Sequence, residues 1–372
     1  MTALIPEERA RGLKWVALLG QRDRPTDGVE DYCNFLGQAL AADGIELKNV
    51  RVGWAEAGWI GALRQLSRES VAWRGKCVLL QYTALEWSRR GFPLAALIVL
   101  AVVQRGGARC AVVFHEPCRQ GGSRPMDRIR GICQDWVIQR LYRSAAKSIF
   151  TVPLQTIPWL PGGREKAAFI PIGASIPERL RRRAVPPLAG KEKTVIVFGV
   201  TDSREAAERE VTDILGVMLE ACKALGKLRL VVVGRGAVEA SDLFTKAFHG
   251  RDIDLVVRGV LPAEEIANEF ESADALLFVR GAVTARRSSA MAGIARGVPI
   301  VGYRGEGVSG PLEAAGVEWS PWHDRDALAR GLIRVLSNPE RWLELHDRSL
   351  EVQKNYLSWS RIAERFQVVL AE

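Results

Sequence analysis

The chain has 372 residues, 48% of them hydrophobic and 26% charged, and this composition excludes an intrinsically disordered protein. Its length predicts two or three domains of roughly 100–200 residues each. The longest apolar run, residues 92–103, is too short for a membrane span, which needs about twenty residues. Acidic residues precede the first apolar stretch, so the N-terminus does not resemble a signal peptide, and we expect a cytoplasmic protein.

Positive charge is concentrated in the first half of the chain. Residues 1–185 carry 28 Lys and Arg against 16 Asp and Glu, whereas the remainder carries 24 against 27. This asymmetry predicts an anionic partner for the first half, either nucleic acid, an anionic membrane surface or a phosphorylated acceptor. A general preference for arginine in the proteome is the alternative explanation.

Strand and helix patterns alternate along this half. The predicted strands are short and apolar and cover residues 15–19, 45–52, 76–81, 111–114, 148–152 and 168–172. The predicted helices cover residues 30–42, 94–104 and 132–147, the last of them amphipathic.

Residues 181–193 (RRRAVPPLAGKEK) combine a charge run, a Pro-Pro pair and a Gly without periodicity, which indicates a linker. The alternation then restarts, with predicted strands over residues 194–198, 228–233, 255–258, 275–279 and 299–301. This pattern predicts two α/β domains with parallel sheets, over residues 1–180 and 194–355. Since open parallel sheets bind ligands at the carboxyl ends of their strands, we expect the site in a cleft between two facing domains.

Metal-ligating residues are sparse. The six cysteines include no C-x-x-C pair, and the chain has only four histidines. No Cys/His metal site of recognisable spacing is present, so we expect neither a metal nor a cofactor. Reduced, mostly buried thiols are the simplest interpretation of the cysteines.

Two loops of the first half are candidate sites. His115 and Glu116 directly follow the strand AVVF, where a His beside an acid suits acid/base chemistry or polar contact with a substrate. A structural histidine is the alternative interpretation. The loop over residues 20–28 leads from a strand into a helix, whose free backbone amides could bind an anion. It has no G-x-G-x-x-G, and a plain strand–helix turn is equally compatible.

The strongest candidate in the second half is residues 280–289 (RGAVTARRSS), which join a strand to a helix. Arg286, Arg287, Ser288 and Ser289 fall in the first helical turn, where cations oppose the helix dipole. Phosphate oxygens would relieve this repulsion by accepting hydrogen bonds from backbone N–H groups, hydroxyls and guanidinium groups together. A solvated basic turn is the alternative.

Two further motifs carry less weight. VVVGRG (231–236) imitates part of a nicotinamide-dinucleotide fingerprint, but Glu239 stands at the third glycine position and disfavours a dehydrogenase. The D-x-D at Asp252 and Asp254 resembles a metal–nucleotide motif, yet it lies just before a strand and is short enough to arise by chance.

Taken in order, several segments resemble the retaining GT-B glycosyltransferases of family 4 over nearly the whole chain. The similarity lies in the first helix, the strand-end His-Glu, the strand that closes the first domain, the donor-site strand and turn, and the C-terminal helix. The corresponding residues are 28–47, 78–116, 168–177, 273–301 and 356–366.

The resemblance implies a GT-B fold, with two Rossmann-like domains facing an interdomain cleft and residues 356–372 returning to the first domain. It implies transfer of a sugar from a UDP- or GDP-linked donor with retention and without a metal. The acceptor would be a glycan, a lipid-linked or a phosphorylated molecule, in bacterial polysaccharide or glycolipid assembly. We further expect the protein to associate peripherally with the inner face of the membrane. Nucleic acid is not an expected partner.

The resemblance also assigns roles to residues. It places His115 near the donor sugar, and Gly28 and Val29 at the reaction centre. Arg204 and the turn over residues 286–289 would hold the diphosphate, with Arg209 a weaker candidate. Gly259, Val260 and Leu261 would border the base.

The sequence departs from the family at one motif. The two glutamates that many members place eight residues apart correspond to Thr284 and Ala292. The chain therefore resembles a branch with a basic-Ser turn instead. A catalytically silent GT-B partner subunit, or a nucleotide-sugar epimerase or hydrolase on the same fold, are the alternative functions.

Overall fold

Strands and helices alternate along the computed structural model, which describes residues 14–23, 26–122, 124–162, 165–177, 192–201, 203–305, 308 and 310–371. The described residues form two compact units. Unit 1 contains those up to Ile172 together with those from Trp359 onward, and unit 2 those from Gly173 to Ser358. Most of the predicted linker, residues 181–193, lies outside the described residues.

Unit 1 is built on a parallel sheet. Its strands are β1 (Lys14–Leu19), β2 (Glu46–Arg51), β3 (Cys77–Tyr82), β4 (Arg109–Phe114), β5 (Lys147–Phe150) and β6 (Ala167–Phe169). They pair in the order β2-β1-β3-β4-β5-β6. Its helices are α1 (Gly28–Ala42), α2 (Trp54–Ser70), α3 (Leu94–Arg105), α4 (Pro125–Ser144) and α12 (Trp359–Ala371).

Unit 2 repeats this plan. Its strands are β7 (Lys193–Phe198), β8 (Leu228–Val233), β9 (Ile253–Val257), β10 (Ala275–Ala282), β11 (Ile300–Tyr303) and β12 (Val317–Ser320). They form a parallel sheet in the order β12-β11-β10-β7-β8-β9. Its helices are α5 (Arg204–Leu225), α6 (Ser241–Phe248), α7 (Ala263–Ser272), α8 (Ser288–Arg296), α9 (Pro311–Ala314), α10 (Arg325–Ser337) and α11 (Pro339–Val352).

The strands are apolar along their length because both faces of each sheet are covered. In β1, for example, Val16 and Leu18 join the core on one face, while Trp15, Ala17 and Leu19 join the core on the other. Alternate residues of a strand point to opposite faces, so neither face can carry polar side chains without burying them.

The C-terminal helix α12 packs in unit 1 against α1. Trp359 stacks on Phe35 at a centroid distance of 5.6 Å, and Phe366 is fully buried in the same core. Truncation of a buried Phe to Ala typically costs about 3–5 kcal/mol, so this helix is an integral part of the core of unit 1.

Helix α4 differs from its prediction over residues 132–147. It begins earlier, at Pro125, because proline suits the first helical position and the Asp127 carboxylate accepts a hydrogen bond from the Arg124 N–H at 3.2 Å. It ends at Ser144, since Lys147 opens β5. Among the described helices, none is both long and apolar enough to cross a membrane.

Each sheet has one point where the strand order reverses. In unit 1 it lies between β1 and β3, and in unit 2 between β7 and β10. In open parallel sheets, ligands bind beside the carboxyl ends of the strands at such a point, because the loops after the two strands diverge there. The fold therefore predicts that the ligand-binding residues lie in the loops after β1, β3, β7 and β10.

Candidate functional site

The loop after β1 is held by an acid and a base of unit 1. The Asp27 carboxylate caps α1, with its Oδ1 accepting hydrogen bonds from the Val29 and Glu30 N–H groups at 3.1 Å each. Arg51 at the end of β2 binds Asp27 Oδ2 at 3.0 Å and the Gly20 carbonyl at 2.9 Å. The amide of Val29 is therefore already occupied, and the first turn carries further negative charge from Glu30.

This geometry leaves little capacity for an anion at the start of α1. Gly28 stands at the helix start with no atom within 4 Å of where a Cβ would lie, so there is open space beside its backbone. The proposed location of Gly28 and Val29 at the reaction centre stays a prediction.

His115 follows β4 directly and is only partly accessible to solvent. Its Nε2 lies 2.8 Å from Gln81 Oε1, and Tyr32 meets the imidazole ring edge-on at 5.0 Å between centroids. The Gln81 Nε2 donates to the Leu79 carbonyl at 3.3 Å, which orients its Oε1 toward His115. In this arrangement Nε2 carries the proton and Nδ1 is the free basic nitrogen.

Burial lowers the pKa of His115 to about 4, and the negative charge of Asp27 counters only part of this effect. The imidazole is therefore neutral at pH 7 and can accept a hydrogen bond through Nδ1. Glu116 lies beside it and its Oε2 is 3.4 Å from the Ala84 N–H.

Glu86, in the loop after β3, is a buried acid that the sequence pattern does not identify. Its Oε2 has no hydrogen-bond partner in the described part of the chain. Burial and the negative charge of Asp27 raise the pKa of this carboxyl well above its ordinary value, against a hydrogen bond from the Gly20 backbone. The Glu86 carbonyl would lie 2.4 Å from a Cβ at position 20, so only glycine permits this approach.

Three arginines gather at the carboxyl edge of the sheet in unit 2, at its reversal point. Arg280, near the end of β10, places its Nη1 only 2.8 Å from where a Cβ of Gly199 would lie, directly after β7. Gly199 has a φ of +84°, so a side chain there would be both strained and in the way. Arg287 also approaches this edge, with its Nη2 3.5 Å from the Cβ position of Gly281.

The charges of this arginine cluster (Arg280, Arg286 and Arg287) are not neutralised. No carboxylate in the described residues forms a salt bridge with any of the three, and Arg280 Nε is buried without a partner. Partial desolvation of the Arg287 guanidinium and the charges of the other two lower the pKa of Arg287, although Glu210 opposes this shift. Uncompensated positive charge at one point favours an anionic ligand.

Helix α8 begins beside the cluster and adds backbone donors. Arg287 is its N-cap residue, no side chain caps the helix, and the first turn contains no acid. The N–H groups of Ser288 and Ser289 donate to no acceptor in the described structure. Free amides, two hydroxyls and the arginine cluster together can bind phosphate oxygens.

Arg204 and residues 259–261 are the other predicted donor-binding residues of unit 2. The Arg204 guanidinium pairs with Glu208 at 3.1 Å and with Asp242 at 2.9 Å on the surface, and these hydrogen bonds raise its pKa. Gly259 accepts a hydrogen bond from the Gly234 N–H beyond the end of β9, and Val260 is exposed. Ser288 and Ser289 lie in the first turn of α8 as predicted, whereas Arg287 is the N-cap and Arg286 precedes the helix. The roles of all the predicted donor-binding residues stay predictions.

A cavity of about 600 Å³ adjoins the arginine cluster within unit 2. One wall is α5, and the other contains Tyr303, Trp322 and His323, which follow or end β11 and β12. The Trp322 ring meets Tyr303 edge-on at 5.6 Å and lies 3.9 Å from the Cβ position of Gly281. Since Arg287 approaches the same position, the cluster and the aromatic wall are neighbours.

Two of the four acids on the α5 wall are paired with bases. Glu205 pairs with Arg209 at 2.6 Å, and Glu208 pairs with Arg204. Asp213 makes neither a hydrogen bond nor a salt bridge with a described residue, and burial raises its pKa against the charge of Arg325. Glu210 accepts hydrogen bonds from the Thr201 N–H and hydroxyl and has no salt bridge with a described residue. Carboxylates that can accept hydrogen bonds and an aromatic surface together suit a hydroxyl-rich ring.

No protein-family model matches the chain, and no curated protein matches it significantly. Solved structures do match it. A sucrose-phosphate synthase from Thermosynechococcus elongatus is 16% identical over 96% of this chain and 98% of that chain, with a TM-score of 0.66. HepE from Anabaena, solved with UDP and glucose, is 11% identical over 96% of this chain and 99% of that chain, with a TM-score of 0.64.

The fold is GT-B. The two six-stranded parallel sheets with interleaved helices confirm the predicted fold class. The chain is also similar to a structure assigned to a UDP-N-acetylglucosamine 2-epimerase from Listeria monocytogenes. That structure is 11% identical over 96% of this chain and 95% of that chain, with a TM-score of 0.61. At these identities the similarity establishes the fold and no activity.

Proposed function

We propose that this protein is a retaining glycosyltransferase, similar to those of family 4, that transfers a sugar from a nucleoside diphosphate donor. The observation that carries this proposal is the unpaired arginine cluster beside the free amides of α8, at the reversal point of a GT-B sheet. The diphosphate of a UDP- or GDP-linked donor has the charge and the oxygen acceptors that these groups require.

The chemistry follows from where charge develops. As the bond between the sugar and the diphosphate breaks, negative charge accumulates on the departing phosphate oxygen. Guanidinium groups and oriented backbone N–H groups stabilise that charge without reorganising. In this proposal the three arginines provide this stabilisation without a bound metal. Unit 2 is the proposed donor-binding unit.

Unit 1 is the proposed acceptor-side unit. We propose that neutral His115 accepts a hydrogen bond from a sugar hydroxyl through Nδ1, while Gln81 fixes the ring. The acceptor is a glycan, a lipid-linked or a phosphorylated molecule in polysaccharide or glycolipid assembly. The positive charge of the first half supports work at the inner face of a membrane.

A nucleotide panel tests the proposal. UDP or GDP at about ten times its dissociation constant should raise the thermal midpoint by about 3–6 °C, since such binding adds roughly 1.4 kcal/mol of stability. ADP, CMP and NAD should leave the midpoint unchanged. A shift with NAD alone, or with none of the five, contradicts the proposal.

Product analysis separates a transferase from an epimerase and from a silent partner subunit. A transferase should release UDP or GDP slowly from its donor without acceptor, whereas an epimerase converts the sugar and keeps the nucleotide attached. A silent partner subunit does neither.

The cavity beside Arg287 is the proposed place for the ring attached to the diphosphate. Replacing Trp322 by alanine should weaken binding of the matching nucleotide-sugar by about 5- to 30-fold, through loss of its aromatic surface. Binding of the nucleoside diphosphate alone should change less than twofold. Both affinities can be measured by calorimetry.

Trp136 provides the matched control for that substitution. Trp136 on α4 is 49% exposed and Trp322 is 48% exposed, but Trp136 belongs to unit 1. Trp136→Ala should bind both ligands as the wild type does. Equal weakening of both ligands by Trp322→Ala would remove the ring from this cavity.

A further inference from the structure

Helix α4 exposes apolar side chains on the face that points to solvent. Met126, Ile129, Ile132 and Trp136 follow one another at intervals of three or four residues, and each is between 49% and 65% exposed. The spacing places them on one side of the helix. The opposite side already supplies the core of unit 1 with Val137, Ile138 and Leu141, among others.

The charges that border this stripe are positive. Arg128, Arg140 and Arg143 are exposed on the same helix, and no carboxylate in the described residues pairs with them. Arg140 lies over the Trp136 ring at 5.7 Å. The two acids of α4 form salt bridges with other arginines: Asp127 pairs with Arg130 at 2.9 Å, and Asp135 pairs with Arg119 at 3.2 Å.

The neighbouring helix extends the exposed apolar surface. Leu94 and Ile98, one turn apart on α3, are each about half exposed, and α3 packs beside α4. Arg90, in the loop before α3, accepts a hydrogen bond from Arg130 through its carbonyl and exposes its side chain. The apolar and basic character is therefore shared by two helices.

We propose that this face of α4, with the start of α3, binds the surface of an anionic lipid bilayer. The apolar side chains would enter the boundary between head groups and acyl chains, and the long arginines would reach back to lipid phosphates. A tryptophan at the margin of an apolar surface suits the same boundary. A protein partner would have to cover the stripe and supply acids for unpaired arginines at once, whereas an anionic bilayer does both without a specific shape.

This inference rests on the proposed work at a membrane, and its test does not depend on catalysis. The full chain is sedimented with vesicles of phosphatidylcholine alone or with about 30% phosphatidylglycerol. The wild type should bind the anionic vesicles at low salt and lose most of that binding at high salt. The double variant I132E/W136E should bind at least about tenfold more weakly.

Val368→Glu is the matched control, because Val368 is 52% exposed on α12 of the same unit. It should bind vesicles as the wild type does. Absence of wild-type binding to anionic vesicles, or equal loss in the control, overturns the proposal. A dimer in vesicle-free buffer that I132E/W136E dissociates would assign the face to a second copy and also overturn it.

The same variants distinguish this inference from the proposed function. I132E/W136E should keep the thermal midpoint and its shift with UDP or GDP. If the nucleotide shift is absent from the wild type while vesicle binding follows the pattern above, the proposed transferase fails and the membrane face stands.

Discussion

Replacing Arg287 by glutamine should lower turnover of the nucleotide-sugar by about 10²–10³-fold, roughly 3–4 kcal/mol, because it removes a cation that we propose stabilises the departing diphosphate. The free energy of unfolding should not decrease. Arg287 has like-charged neighbours in Arg280 and Arg286, so its loss relieves repulsion and the variant should unfold no more easily than the wild type. Steady-state kinetics and urea unfolding measure the two effects.

Arg204→Gln compares the other arginine predicted to hold the diphosphate with Arg287. Arg204 lies in the same unit, and its charge is already paired with Glu208 and Asp242 on the surface. Turnover should fall less than about threefold, since exposed pairs contribute little. A larger loss in Arg204→Gln than in Arg287→Gln would move the diphosphate from α8 to the start of α5. Full activity in a variant lacking both Arg286 and Arg287 would remove the cluster from the site.

His115 should make the stability of unit 1 depend on pH. Its pKa is about 4 in the folded protein and about 6.5 in the unfolded chain, so the unfolded state binds a proton that the folded state refuses. The free energy of unfolding should therefore fall as the pH drops below about 6.5. Between pH 7 and pH 5 this group accounts for about 2 kcal/mol, at 1.36 kcal/mol per pKa unit.

His115→Gln should remove this dependence. Glutamine is neutral throughout, so the stability difference between variant and wild type should shift by about 2 kcal/mol in favour of the variant from pH 7 to pH 5. Urea unfolding at fixed pH values gives this difference. The exposed His249 provides the baseline through His249→Gln. A difference that stays constant with pH for His115→Gln would show that the imidazole is solvated.

The basic-Ser turn could be located from the sequence because its signals are local. Arg286 to Ser289 follow an apolar strand at the start of a helical pattern, but α8 begins only at Ser288, so the serines lie in its first turn while Arg287 is the N-cap and Arg286 precedes it. Whether those arginines are paired is not a local property. It depends on which carboxylates the other strands deliver to the same edge, and in unit 2 they deliver none that pairs with the cluster in the described residues.

Three features could not be predicted from the sequence, because each depends on a contact between distant segments. Arg280 gains its position from Gly199, which belongs to another strand. The Arg204 guanidinium is paired with the carboxylate of Asp242 on α6. The pKa of Glu86 is raised by its burial beside the loop after β1, and the absence of a side chain at Gly20 lets the Glu86 backbone approach that loop. Only the capping of α1 by Asp27 had a local signal, an acid directly before the helix.

Helix α4 shows where periodicity misleads. An amphipathic pattern predicts one apolar face, but this helix has apolar residues on both its buried and its exposed side. The hydrophobic pattern alone does not say which side faces the sheet, and so does not show that Ile132 and Trp136 are exposed.

The alternation of strands and helices, the parallel α/β class and the location of the basic-Ser turn depend on residues close together in the chain, so they can be predicted from the sequence. Which charges are paired, which acids are buried and which apolar side chains remain exposed can be read only from the folded chain. Those properties require groups from distant segments to approach within about 3 Å, or to cover one another from water. The chemistry of the site therefore depends on the fold, even where its residues are visible in the sequence.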